Sequence, residues 1–257
     1  MSFLEWLYSS YPNPSIQGQW GPLHICTMLL CIAIIVALAL IFRNKSEKSR
    51  KIVVYVLVGL ILLFEVARRI INLCKTEDYS LHNLLVILLP RPWCAISCWA
   101  LMISVLVKKD WFYNFASTSA LLCSLTFFAY PGVGFNNEYI LFENLYSICT
   151  HSLLLVSSIT LITLKFTHFD VKTLWKTLLC YAVVFVYAFL EIFALGIEDD
   201  PLYFMPNGDV QEILGLPYGA YVVVYALFIA LYLFGFYLCS HLRRKKLNRN
   251  LPTQKSA

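Results

Sequence analysis

Seven apolar blocks, each long enough to cross a ~30 Å hydrocarbon core, follow one another along this chain with only short connections between them. They run at about 21–42, 52–73, 81–107, 111–130, 139–164, 174–196 and 218–240. No soluble domain of 257 residues is built this way. The chain is 60% hydrophobic and only 14% charged, where a soluble domain carries about 25% charged residues. The expected fold is all-α, a polytopic bundle of seven transmembrane helices in the cell membrane. Three segments are expected: an interfacial piece 1–20, the membrane domain 21–240 and a basic tail 241–257.

The connections set an orientation. Positively charged loops stay on the cytoplasmic side. With the N-terminus outside and the C-terminus cytoplasmic, the inner loops and tail hold all of the 20 Lys and Arg residues except Lys75, Arg68, Arg69 and Arg91. The longest outer loop, 197–217, is acidic. Phe3, Trp6, Leu7 and Tyr8 fit the headgroup region, where aromatic rings are favoured. Residues 1–20 lack the basic and small-residue features of a cleaved signal peptide.

Several chemistries find no motif here. There is no glycine-rich phosphate loop, HExxH or GxSxG. No internal repeat suggests an inverted-repeat transporter. The nine cysteines are odd in number and lie mostly in apolar blocks, which is not a disulfide framework. Cys94 and Cys98 have no second pair to complete a zinc site. Asp199, Asp200 and Asp209 are not at EF-hand spacing. No metal and no cofactor is expected. The net charge of +5 sits on the cytoplasmic rim, so nucleic acid is not an expected partner.

One stretch is costly in lipid. In LLPRPWCAISC, residues 88–98, Pro90 and Pro92 each remove a backbone N–H and crowd a carbonyl one turn back. Arg91 between them costs roughly 2.5–3.5 kcal/mol on insertion scales. Such a segment is tolerated where it faces protein or a wet cavity. At 1.5 Å per residue, Cys94 lies roughly 20 Å deep in the third block and His151 roughly 18 Å deep in the fifth. The two are therefore expected at one level. Glu65, Arg68 and Arg69 share a face of the second helix. Asn144, Ser147 and His151 share a face of the fifth, with Glu143 beside them, and Glu191 lies near the outer end of the sixth. Ionisable groups inside a membrane pair with one another or line a pathway. The expectation is a polar cavity open to the outside, floored by Cys94 and His151 and lined by Arg91, Arg68, Arg69, Glu65, Asn144, Glu143 and Glu191. On the residues alone it reads three ways: a thiol nucleophile with its base, a binder, or an ion-pair network that only locks helices together.

The motif order adds a resemblance. GPLHI with His24 opens the first block and Glu65 lies in the second. Leu89-Pro90-Arg91-Pro92-Trp93-Cys94 crosses the third, and Thr150-His151 lies in the fifth, where the family tends to have Ser-His. Leu202-Tyr203-Phe204-Met205-Pro206 and Leu216-Pro217-Tyr218 precede the last. In this order they resemble the YwaF family of bacterial integral membrane proteins, which includes an animal transmembrane acyltransferase relative. The resemblance implies acyl transfer between membrane lipids, with Cys94 taking the acyl group as a thioester, His151 as base and Arg91 near a phosphate or oxyanion. Pro92 stands where the family's segment usually has His. The function expected is a lipid acyltransferase using this Cys/His pair; the alternative is a non-catalytic binder or transporter of a small anionic or amphipathic molecule.

Overall fold

The structure, a computed structural model, describes residues 6–7, 20–129, 135, 141–196 and 209–249. Among these there are helices and no strands. We number the helices α1 (Pro22–Phe42), α2 (Glu47–Lys75), α3 (Leu81–Leu88), α4 (Trp93–Val107), α5 (Asp110–Ala129), α6 (Phe142–Thr163), α7 (Leu174–Leu195), α8 (Asp209–Leu214) and α9 (Tyr218–Arg249). A 3-10 turn, Val171–Thr173, precedes α7. The expected headgroup residues Phe3 and Tyr8, the Leu202–Pro206 motif, and Asp199 and Asp200 of the acidic loop lie outside the described residues.

Helices α1, α5, α6, α7 and α9 are each long and apolar enough to cross a membrane, and α3 with α4 makes a sixth span if that bent pair is one crossing. Helix α2 is 29 residues long, but Glu65, Arg68 and Arg69 keep its C-terminal half from passing as plainly apolar. The outward faces are greasy. Leu40 and Leu106 are each 78% exposed, and Leu, Ile, Val and Phe side chains stand out along α1, α2, α7 and α9. In water so broad an apolar surface would aggregate; around a bundle it is the lipid-facing belt.

Helix α5 is the axis. It packs against α4, α6 and α7, and its side chains from Tyr113 to Leu122 are all buried. Small and hydroxylated residues make that position possible, because they let neighbouring backbones approach. Ala116, Ser117, Thr118 and Ala120 have no exposure. Ser117, Thr118 and Ser124 return their hydroxyls to carbonyls of their own helix. Helix α6 lies beside α5 and also touches α1, α2 and α4.

Polar contacts fix the end of the bundle where the basic connections gather. Asn114 accepts from the His168 backbone N–H at 3.0 Å and donates to its carbonyl at 2.9 Å. It also donates to the Tyr237 hydroxyl, which lies 2.8 Å from Thr177 Oγ1. Arg50 Nη1 reaches the Leu164 carbonyl at 2.7 Å. Asp170 caps the 3-10 turn and meets Arg244 at 3.2 Å; the Lys172 N–H, and then Arg244, hold its carboxyl below the usual range. Helix α9 runs on to Arg249, so the tail expected to begin at residue 241 starts as helix.

The third block departs most from its expected form. It is not one helix from 81 to 107. Helix α3 stops at Leu88, α4 starts at Trp93, and their axes differ by 66°. The helical spacing that would put Asn83, Ile87, Pro90, Cys94, Ser97 and Cys98 on one side of a single helix is therefore interrupted. Leu89 and Pro92 are extended, with ψ of 146° and 152°. Proline disfavours helical backbone in the residue before it, and Pro92 has no N–H for the Leu88 carbonyl.

Candidate functional site

The break creates a helix start inside the bundle. Pro92 is the N-cap of α4, Trp93 is its first residue and Cys94 its second. The first backbone N–H to close onto the helix is that of Ile96, bonded to the Pro92 carbonyl at 3.0 Å. The N–H groups of the first turn have no intrahelical acceptor, and with the helix dipole they favour negative charge there. Cys94 thus occupies the turn where a thiolate is most easily held.

The Cys94 thiol has two polar neighbours, the Cys123 thiol of α5 and the His151 imidazole of α6. His151 Nδ1 lies 2.7 Å from the Ser147 carbonyl. A carbonyl only accepts, so Nδ1 carries the proton and Nε2 presents a lone pair. The ring lies flat on Phe127, with centroids 3.8 Å apart and planes 6° from parallel. A backbone carbonyl fixes the tautomer and an aromatic face fixes the plane, which is the support a general base requires.

Beside the thiols lies an ion cluster. Glu65 is 2% exposed. Its carboxylate takes a hydrogen bond from Arg69 Nη1, another from the Tyr146 hydroxyl at 2.5 Å, and has Arg68 Nη2 at 3.8 Å. Arg69 Nε donates to the Leu88 carbonyl at 3.1 Å. That is the carbonyl Pro92 leaves without a helical donor, so the arginine replaces the missing N–H. The two guanidinium groups lie over aromatic rings, Arg68 over Tyr146 and Arg69 over Trp99, at 5.5 and 5.4 Å. Arg68 is in electrostatic range of Cys94 and Cys98. Arg69 Nη2 and Arg68 Nε have no acceptor among the described residues.

A second group lies toward α7. Glu191, also 2% exposed, accepts from the Tyr187 hydroxyl at 2.7 Å, and Arg91 is in electrostatic range of both. The structure therefore brings Cys94, His151, Glu65, Arg68 and Arg69 into one neighbourhood and sets Arg91 with Glu191. Asn144 is buried and caps α6, its Oδ1 accepting from the Leu141 N–H at 3.1 Å. Glu143 is exposed in the first turn of α6 and does not join either group. Cys123, Tyr146, Tyr187 and Phe127 were not singled out in the sequence. Tyr146 lies five residues before His151 in a helix rich in polar residues, a weak signal; nothing in spacing pointed to Cys123. Among the described residues, no group of three or more His, Cys, Asp or Glu is arranged to hold a metal ion.

Fold and site together define a polytopic membrane protein with a cysteine, a histidine and a buried ion cluster inside its helix bundle. Residues 19–247 match the TMEM164 family. The chain belongs to that family of transmembrane proteins. No curated protein and no solved structure matches it.

Proposed function

We propose that the protein is a membrane acyltransferase that carries an acyl chain on Cys94 between two lipids. The observation that carries this is Cys94 in the first turn of a helix that starts inside the bundle, beside a histidine whose Nδ1 is committed to a backbone carbonyl. His151 Nε2 takes the thiol proton, and the thiolate attacks the ester carbonyl of the donor lipid. The backbone N–H groups at the start of α4 face the developing oxyanion. The tetrahedral intermediate collapses to a thioester, and the departing lipid hydroxyl takes the proton from His151. An acceptor lipid hydroxyl then reverses these steps. The unfilled donors on Arg68 and Arg69 suit an anionic headgroup, and Arg91 with Glu191 forms the outer rim. The resemblance to the YwaF family and its acyltransferase relative supports the same reading. In this account α2 is the seventh span, its charges facing inward; the N-terminus is outside, the C-terminus is cytoplasmic, and the protein resides in the cell membrane.

The test is thioester trapping in lipid with an activated acyl probe. Cys94→Ala is expected to abolish hydroxylamine-sensitive labelling while Cys98→Ala retains it. Labelling that persists in Cys94→Ala overturns the reading. If labelling is indifferent to Cys94 but binding of an anionic amphiphile falls in Arg91→Ala, the protein is a binder instead.

A further inference from the structure

Cys123 has no part in the acyl-transfer scheme, yet its thiol neighbours that of Cys94. The register between their helices accounts for this. Ser119 of α5 lies 2.8 Å from Trp93 Nε1 and 2.8 Å from Ser97 Oγ, so it is lodged between two successive turns of α4. Cys123 follows Ser119 by four residues on the same face of α5. That places it beside the beginning of α4, where Cys94 is. Cys94 and Cys123 are each partly exposed as residues, whereas Cys98 has no exposure at all. Cys98 also shares a helix with Cys94 at i, i+4, where both Cβ atoms tilt the same way along the axis rather than toward each other.

We propose that Cys94 and Cys123 form a reversible disulfide, a modification site whose oxidant is a hydroperoxide of the kind that forms on unsaturated acyl chains. The Cys94 thiolate attacks the distal peroxide oxygen. The O–O bond breaks, Cys94 becomes a sulfenic acid, and the alkoxide leaves and takes up a proton as an alcohol. The Cys123 thiolate then attacks the sulfenic sulfur. The S–S bond forms, the hydroxyl leaves, and with the proton given up by Cys123 it departs as water. A dithiol restores both thiols by exchange. While the bond stands, Cys94 has no thiol, so acyl loading stops. The pairing itself does not depend on acyl transfer, and peptide mapping reads it directly.

The full chain in lipid nanodiscs is treated with cumene hydroperoxide, remaining thiols are alkylated, and the peptides are mapped by mass spectrometry. The expected result is a linked peptide pair containing Cys94 and Cys123 that disappears after dithiothreitol. It persists in Cys98→Ser and is absent from Cys123→Ser, where Cys94 is recovered as higher oxyacids. The wild-type map decides the matter even if a variant folds poorly. Cys94 recovered unoxidised, as unlinked oxyacids or bonded to Cys98 overturns the proposal. If the link forms and breaks as expected while Cys94 takes no acyl probe in the reduced protein, the disulfide stands and the acyltransferase reading falls.

Discussion

Arg69 has little freedom. Its Nη1 is committed to the Glu65 carboxylate and carbonyl, and its Nε to the carbonyl that Pro92 leaves open. Removing one member of a buried pair exposes the other's full desolvation cost, about 3–5 kcal/mol. Arg69→Met is therefore expected to lower stability by about that amount. Glu65→Gln combined with Arg69→Met is expected to recover part of the loss, because the buried carboxylate is removed along with its closest partner and the remaining charge, Arg68, is 22% exposed. Thermal unfolding of the two variants in one detergent checks this. Equal losses would mean that the carboxylate is not the arginine's main obligation. His24 shows what a residue-scale reading does not reach. It has no exposure and lies among the rings of Trp20, Phe128 and Phe135, three aromatic partners that no local spacing pairs with it.

At the scale of elements, the break between α3 and α4 does the positioning. Proline chemistry made a disturbance there legible in the sequence, since two missing N–H groups within three residues cannot be absorbed by a straight helix. Its extent was not legible. A 66° bend depends on Arg69 of another helix supplying the lost donor, and no local pattern announces a tertiary partner. The same limit hid Cys123. Its position depends on the register of α4 on α5, set by Ser119, and helix registers in a membrane rest on packing and small polar contacts rather than on hydrophobic periodicity. By contrast, the ion cluster on α2 was readable, because i, i+3 and i, i+4 spacing puts Glu65, Arg68 and Arg69 on one face. The double variant Pro90→Ala/Pro92→Ala is expected to extend α3 into α4 and return the Leu88 carbonyl to the helix. Thermal stability should hold or rise. Alkylation of Cys94 should slow roughly tenfold, about what a favourable helix terminus contributes to holding a negative charge. A helix that straightens with no change in Cys94 reactivity would remove the terminus from the account.

Across the whole molecule, the apolar blocks showed the architecture because lipid imposes one requirement everywhere: backbone groups must be satisfied within helices. The crossing helices follow from that. The proposed function rests instead on where three helices meet. The nine cysteines are spread over that architecture, and they serve as internal controls for what the meeting point does. Cys26, Cys74 and Cys239 are exposed, Cys31 and Cys98 are buried, and Cys123, Cys149 and Cys180 are partly exposed like Cys94. Only Cys94 combines a helix start with a histidine lone pair. The direct measurement is the rate at which a small membrane-permeant alkylating agent modifies each cysteine at neutral pH, in the wild type and in His151→Gln. The account predicts that Cys94 reacts fastest among the partly exposed cysteines, and that His151→Gln slows it by roughly 10²–10⁴-fold, the usual contribution of a positioned base, while Cys149 and Cys180 keep their rates. A Cys94 that reacts no faster than Cys149 and Cys180, or that ignores the loss of the imidazole, would contradict it.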